Sequence, residues 1–371
     1  MTVDVKETEK TADKLVERLV GAGLGMMEVM SVYVGDRLGL YRDLVDRGPA
    51  TAPELAERAG MDPRYAREWL EQQAAAGFLE VDDVDAAADD RRFSLPEAYA
   101  DPLINPDSPS SIAPFARSIV ALAKVMPELL EAYRSGGGVD WTLYGPDMIE
   151  AQGDFNRPWL RGSFGTDILP GISAIHKRLV ANPPARVADV ACGVGWAGIA
   201  IAGAYPNVTV DGFDLDPSSI ELARANAREA GVADRVTHEV RDAADPAAVG
   251  QYDLAVVIEA IHDLSRPVEV LSAIRQMLRP GGALLVADEK TEDRFTAPAS
   301  ELERVYYGYS LFTCLPAAMT DRPSAGTGTV MRPDTLRAYA EAAGFTGFQR
   351  LDEPALDMLR FYQLTTTGAR S

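Results

Sequence analysis

The stretch Arg186–Gly198, RVADVACGVGWAG, decides the fold. Val187, Ala188, Val190 and Ala191 form an apolar run, which predicts a parallel strand over Val187–Cys192 that is covered on both faces. Gly193, Gly195 and Gly198 then complete G-x-G-x-x-G, and Trp196–Ala204 reads as the helix this turn opens. Glycine allows positive φ and close approach of a ligand to the backbone. A second strand, Val208–Asp214, ends in an acid roughly twenty positions beyond the glycines. The triplet alone is a weak signal, but strand, glycine turn, helix and distal acid together predict a nucleotide-type site.

The chain downstream keeps alternating between strand and helix, the pattern of an α/β domain. Strands are expected at Val236–Val240, Asp253–Glu259 and Ala283–Asp288, with a closing antiparallel hairpin at 347–351 and 358–365. Ligands of open α/β sheets bind beyond the carboxyl ends of the strands, which places Asp189, Asp214, Asp242, Glu259 and Asp288 along one rim. The series Asp189, the glycine turn, Asp214, Asp242-Ala243, YDLAVVIEAIHDL and LRPGGALLVADE resembles class I S-adenosylmethionine-dependent methyltransferases, from Arg186 to about Leu364. The glycine turn by itself also suits a Rossmann-like NAD enzyme. The resemblance implies a Rossmann-like seven-stranded sheet and S-adenosylmethionine as cofactor. Its expected contacts are Asp189, Gly193, Gly195, Asp214, Leu215, Asp242, Ala243 and Glu259. An ionised acid is acceptor-only, so Asp214 suits both ribose hydroxyls; Asp216 reads as the cap of the following helix. Asp189 would face the cationic amino group and sulfonium, and Asp242 the adenine amine.

The sequence has three histidines, His176, His238 and His262. His262 follows the fourth strand on the cofactor rim, and imidazole titrates near ~6.5, a range suited to general-base work. The segment also resembles the family's His-Asp-Trp, whose histidine is the catalytic base. Leu264 replaces the tryptophan, and Arg266 stands where the family has a second acid. The alternative is a loop histidine bonded to backbone. Glu259 either receives the cofactor or orients His262, while Asp263 reads as a helix-start acid. His176 and His238 read as structural. No cluster has metal-ligand spacing, so no metal is expected.

The 371 residues carry a net charge of −20 and a sequence pI near 4.6. That balance argues against nucleic acid or an anionic membrane as partner. The two cysteines, Cys192 and Cys314, imply no disulfide framework and fit a reducing cytoplasm. The N-terminus is polar and lacks an apolar signal-peptide core, and residues 1 to about 10 read as a frayed tail. Thr11–Leu40 is helical in pattern, with a break or close crossing expected at its glycines and a methionine-rich face suited to dimer or inter-domain packing. Residues 38–81 read as a winged helix, with Thr51 and Glu54 forming a capping box and wing strands in FLEVDD and RRFSLP. Its third helix balances Arg64 and Arg67 with Asp62, Glu68 and Glu71, whereas phosphate contacts need uncompensated cations. A dimerisation and lid domain is also what the resemblance to small-molecule O-methyltransferases of the plant caffeate and bacterial polyketide type implies.

Three segments are therefore expected: 1–105 as the helical winged-helix dimerisation domain, 106–185 as a helical connector and substrate cap, and 186–371 as the catalytic domain. Arg157, Trp159 and Arg161 of the connector are candidates for contacting cofactor or substrate, with packing and surface charge as the alternative. Tyr306, Tyr307, Tyr309, Phe312 and Met319 cluster in and after a helical insertion, a patch suited to a flat apolar molecule or to plain core. From these, Trp159, Tyr307, Phe312 and Met319 are the expected acceptor contacts. The reading that results is a cytoplasmic, homodimeric small-molecule methyltransferase, O-directed, with His262 as base. The alternatives are a C- or N-methyltransferase working by proximity, or a cofactor-binding winged-helix regulator.

Overall fold

The computed structural model describes residues 11–246, 248–351 and 356–366. The tail at 1–10 lies outside the described residues. The chain divides into two compact units, 1–120 and 121–371.

In the first unit one helix runs unbroken over Ala12–Arg37, N-capped by Thr11, whose hydroxyl accepts from the Lys14 amide. The break expected at its early glycines does not occur. Gly21, Gly23 and Gly25 have open space where a Cβ would stand, so they mark no crossing. The close approach is at Gly35 instead, where a Cβ would sit 2.4 Å from Tyr41 Cε2 and 2.6 Å from Trp69 Cζ2. The capping box forms: Thr51 accepts from the Glu54 amide, and Glu54 accepts from the Thr51 amide at 2.9 Å. Helices Leu40–Arg47, Ala52–Ala59 and Pro63–Ala75 enclose a core that includes Leu40, Tyr41, Leu55, Leu70 and Phe93. The wing is shorter than expected, two residues a strand: β1 (Glu80–Val81) pairs antiparallel with β2 (Phe93–Ser94). Its cations face acids: Arg64 meets Glu68, Arg67 lies 3.7 Å from Asp89, and Arg91 lies 2.8 Å from Glu71.

The second unit is built on a seven-stranded sheet, as the sequence predicts. Its strands are β3 (Arg186–Val190), β4 (Thr209–Asp214), β5 (Val236–Val240), β6 (Tyr252–Ile258), β7 (Leu278–Glu289), β8 (Gly347–Leu351) and β9 (Leu359–Thr365). Their order is β5-β4-β3-β6-β7-β9-β8. The first five are parallel and the last two form an antiparallel hairpin on β7. β3 ends at Val190, so Cys192 belongs to the glycine turn rather than to the strand. β7 begins five residues earlier than expected, with a register irregularity against β6 between Tyr252 and Leu254. Helices cover both faces, giving two apolar clusters, one around Val187, Ile201 and Val256 and one around Ala255, Leu271 and Leu284. Burial on both sides is why these strands read as continuous apolar runs. The strand order reverses between β4-β3 and β6-β7, and the crevice beyond β3 and β6 is where such sheets hold ligands.

Candidate active site

The turn after β3 is held by the acids at the strand ends. Gly195 has φ 84° and N-caps the helix Trp196–Ala204. A Cβ there would also lie 2.5 Å from His238 Nε2, so the position requires glycine on both counts. The Gly198 amide, in the first turn of that helix, donates to Asp189 Oδ2 at 2.9 Å. Asp189 is 2% exposed, and burial pushes its carboxyl up to about 7, with the nearby Asp214 adding to the rise and the Gly198 amide opposing it. At the end of β4, Asp214 accepts from the Gly193 amide at 2.8 Å and from the Asp216 amide at 2.9 Å. Burial also raises the Asp214 carboxyl above its ordinary range. Asp216 caps the helix Pro217–Glu229 through the Ser218 and Ser219 amides. Asp242 accepts from the Ala244 amide at 2.8 Å and pairs with Arg266 at 3.3 Å.

Asp189, Gly193, Asp214, Leu215, Asp242, Ala243 and Glu259 all line one cavity of about 550 Å³. That volume is in the range of small-molecule sites. Gly195 acts behind it, through the turn. The far wall comes from the 3₁₀ turn Trp141–Tyr144, the helix Pro146–Trp159 and the residues 263–266. Gly153 of that helix packs against Val194, where a Cβ would meet Cγ2 at 2.3 Å. Pro158 removes one amide donor from the helix, and a π-helix over Leu160–Ile168 follows directly.

Glu259 sits where β6 ends, at φ 49°, a left-handed conformation rare for a residue with a side chain. It accepts from Asn156 Nδ2 and, at 3.2 Å, from Gln152 Nε2. Asn156 Oδ1 in turn accepts from Trp159 Nε1 at 2.7 Å. Burial raises the Glu259 carboxyl, and the Asn156 hydrogen bond opposes the shift. Gln152 and Asn156 were not legible as site residues in the sequence, because polar positions on an amphipathic helix ordinarily face solvent.

His262 is 1% exposed and does not line the cavity; its neighbour Asp263 does. The imidazole Nδ1 lies 2.8 Å from Asp288 Oδ1 and 3.1 Å from Glu289 Oε2, both at the end of β7. Nε2 lies 3.2 Å from Asp263 Oδ1. Burial alone would lower the imidazole's proton affinity, but Asp288, Glu289 and Asp263 outweigh it and raise it well above the ordinary value. Three oxygens, Asp263 Oδ1, Asp288 Oδ2 and Glu289 Oε2, are buried without a hydrogen-bond partner. The Cys314 thiol on the Nε2 side is pushed up to about 12 by burial and by Asp263. The histidine therefore touches the cavity only through Asp263.

The expected acceptor contacts do not line this cavity. Trp159 packs edge-on against Phe164 and Phe361, in the apolar cluster under the sheet. Tyr307 meets Phe295 edge-on, with Arg332 Nη2 donating to its hydroxyl at 3.1 Å. Phe312 lends its carbonyl to the Tyr144 hydroxyl at 2.7 Å, and Met319 lies against Gly326. Aromatic spacing in the sequence was a signal of packing here, and nothing in it distinguished the two uses. Arg157 and Arg161 lie over the Trp196 ring at 4.9 and 5.3 Å. His238 is buried beside Gly195 and Gly212, and His176 meets the Tyr205 hydroxyl at 3.1 Å.

Residues 188–284 match the family model described as a methyltransferase domain, and residues 22–104 match the Rv2258c-like winged HTH domain. The chain is 32% identical over 115 residues to the methyltransferase GfsG of Streptomyces halstedii, covering 31% of this chain and 41% of that protein. It is 34% identical over 110 residues to the ubiquinone biosynthesis O-methyltransferase of Xanthomonas campestris pv. campestris (strain B100), covering 29% of this chain and 44% of that protein. The chain thus spans less than half the length of these curated relatives. A solved structure described as PigF with SAH aligns over 96% of this chain and 100% of that chain, with a TM-score of 0.68 and 20% identity, a likeness of fold. Strand order and glycine turn agree with these matches: residues 188–284 are similar to a methyltransferase domain and residues 22–104 to a winged helix-turn-helix domain.

Proposed function

We propose that this protein transfers a methyl group from S-adenosylmethionine to a hydroxyl of a small molecule. The observation that carries the reading is the pair Asp189 and Asp214. Asp189 is buried and Asp214 half-buried at adjacent strand ends on the cavity, and neither has a cationic side-chain partner among the described residues. Buried acids ordinarily acquire a counter-charge or hydrogen-bond donors. A ligand with an ammonium, a sulfonium and a ribose diol supplies both, so the residues fit the cofactor. S-adenosylmethionine, when bound, supplies an electrophilic methyl group on a sulfonium sulfur.

Asp189 would hold the ammonium end, Asp214 the ribose hydroxyls, and Asp242 with Ala243 the adenine edge. Glu259, fixed by Gln152 and Asn156, stands between the cofactor and acceptor walls. The chain's main contribution is alignment of donor and acceptor in one cavity. Asp263 is the acid that reaches the cavity from the His262 pair, so it accepts the hydroxyl proton, with His262 holding it in place from behind. His262 is thereby a positioning residue here, in place of the direct base that its sequence position suggests. Residues 106–185 would cap the acceptor, and the first unit would pair two copies of the chain.

Calorimetric titration tests the cofactor. Micromolar binding of S-adenosylmethionine should weaken in Asp214→Ala by about 10- to 100-fold, the worth of hydrogen bonds to an ionised group. No binding to the wild type, or binding of NAD+ instead, would sink the reading. The acceptor step is tested by S-adenosylhomocysteine release over a panel of phenols and aliphatic alcohols. Asp263→Asn should lower kcat by about 10²-fold or more while leaving cofactor affinity in place. An unchanged kcat would assign transfer to proximity alone, as at a nitrogen or carbon acceptor.

A further inference from the structure

Gln152, Asn156 and Trp159 stand at positions i, i+4 and i+7 of the helix Pro146–Trp159, so they share one face. Gln152 and Asn156 turn that face to Glu259, at the end of β6. The contacts form a chain with only one sense. Indole Nε1–H donates and cannot accept, so the Asn156 oxygen must face Trp159, at 2.7 Å. The Asn156 amide nitrogen is thereby left to donate to Glu259. Gln152 Nε2 donates to the same carboxylate at 3.2 Å. Trp159 is fixed in turn by edge-on packing against Phe164 and Phe361. The Glu259 backbone is pinned as well: at φ 49° its amide donates to the Ala287 carbonyl of β7 at 2.8 Å. Strained conformations of this kind persist where their surroundings over-determine them, and they cluster at functional sites.

Both amides reach the same oxygen, Oε2. No donor among the described residues reaches Oε1, and Glu259 lines the cavity, so Oε1 is the oxygen left for a ligand. Burial raises this carboxyl and the Asn156 donor opposes the rise; a cation brought against it favours the ionised form. The strand order β5-β4-β3-β6 sets Asp242, Asp214, Asp189 and Glu259 in that sequence along the rim. The first three are assigned above to the adenine, the ribose and the ammonium. Asp263, assigned to the acceptor hydroxyl, follows Glu259 by four residues. Glu259 therefore stands where cofactor and acceptor meet, and the charge that belongs there is the sulfonium.

We propose that Glu259, oriented by Trp159 through Asn156, faces the sulfonium and so favours S-adenosylmethionine over S-adenosylhomocysteine. The two ligands share adenine, ribose and ammonium and differ by one methyl and the charge on sulfur. A carboxylate at that point attracts the first and has no charge to meet in the second. Glu259 is then a binding residue, and Asn156 and Trp159 are positioning residues. The inference rests on the methyl-transfer reading.

Calorimetry of both ligands with the full chain tests it, read as the ratio of the two dissociation constants. In Glu259→Gln the affinity for S-adenosylmethionine should fall at least about tenfold and that for S-adenosylhomocysteine less than about twofold. Trp159→Phe keeps an aromatic ring in the cluster and removes the N–H. It should shift the ratio in the same direction by about threefold, as should Asn156→Leu. Loss of a merely structural contact would weaken both ligands alike. Circular dichroism and thermal melts establish that each variant folds, and Asn156→Leu carries the positioning test if Trp159→Phe does not. Equal loss of both ligands in Glu259→Gln would give the residue to the ammonium and overturn the proposal, as would an unchanged ratio. A ratio that moves in Glu259→Gln but in neither of the other variants overturns the positioning chain. Failure of the wild type to bind either ligand overturns the proposal together with the methyl-transfer reading, whereas the other outcomes leave that reading standing.

Discussion

At the scale of the residue, Asp189 links the sheet to the chemistry. Its carboxyl is fully enclosed and titrates near 7 because burial disfavours the charged form; Asp214 adds to this and the Gly198 amide opposes it. The sign of the consequence follows. The folded value lies above the unfolded one near ~3.9, so the stability this group contributes is fully present below the unfolded value. It is lost as pH rises through about 7. The melting temperature of the ligand-free protein should therefore fall between pH 6 and 8, and fall less in Asp189→Asn. A cationic ligand prefers the carboxylate, so S-adenosylmethionine affinity should rise over the same interval, approaching about tenfold per pH unit below the titration point. Calorimetry at a series of pH values checks both, and a flat wild-type profile would remove the ammonium contact from Asp189. The residues that hold the acceptor wall were less legible. Gln152 and Asn156 grip Glu259 only because β6 ends opposite one face of their helix, and no local pattern announces a partner about a hundred positions away.

At the scale of the element, the glycines separate into those that shape structure and those that do not. The early glycines of the helix Ala12–Arg37 face open space, and the helix passes through them unbroken. Gly35 is different, since two buried rings occupy the place of its side chain. Gly35→Ala should destabilise the protein by ~1–3 kcal/mol, as overpacking does, because neither ring can move aside. Urea unfolding of the full chain measures it, and an unchanged midpoint would show that Tyr41 and Trp69 rearrange. In the sheet, element types were legible, because apolar runs bounded by glycine and proline have one reading in an α/β alternation. Boundaries were less so: β3 stops at Val190 because Ala191 takes φ 55°, a turn conformation that its apolar side chain does not signal.

At the scale of the molecule, the helix Ala12–Arg37 presents Leu15, Leu19, Val20, Leu24, Met26 and Met27 to solvent. A contiguous apolar face of this kind marks an interaction surface more often than a soluble exterior. The reading proposed above, pairing of two copies through the first unit, predicts a dimer in sedimentation velocity. Leu19→Glu combined with Met27→Glu should shift it to monomer with the fold retained, and a monomeric wild type would end the idea. No helix among the described residues is long and apolar enough to cross a membrane.

The sequence by itself determined the α/β class, the glycine turn, the strand-end acids and the winged helix ahead of them. Each is carried by local periodicity, turn chemistry or spacing within a few tens of residues. Only the tertiary structure decided which side chains meet. It withdrew Trp159, Tyr307, Phe312 and Met319 from the cavity, because apolar residues are buried wherever a core forms and their spacing does not say beside what. It also placed His262 among Asp263, Asp288 and Glu289, whose approach is set by the parallel pairing of β6 with β7. That register brings strand ends together across some thirty positions of chain, and long-range pairing is information that no single stretch of sequence contains.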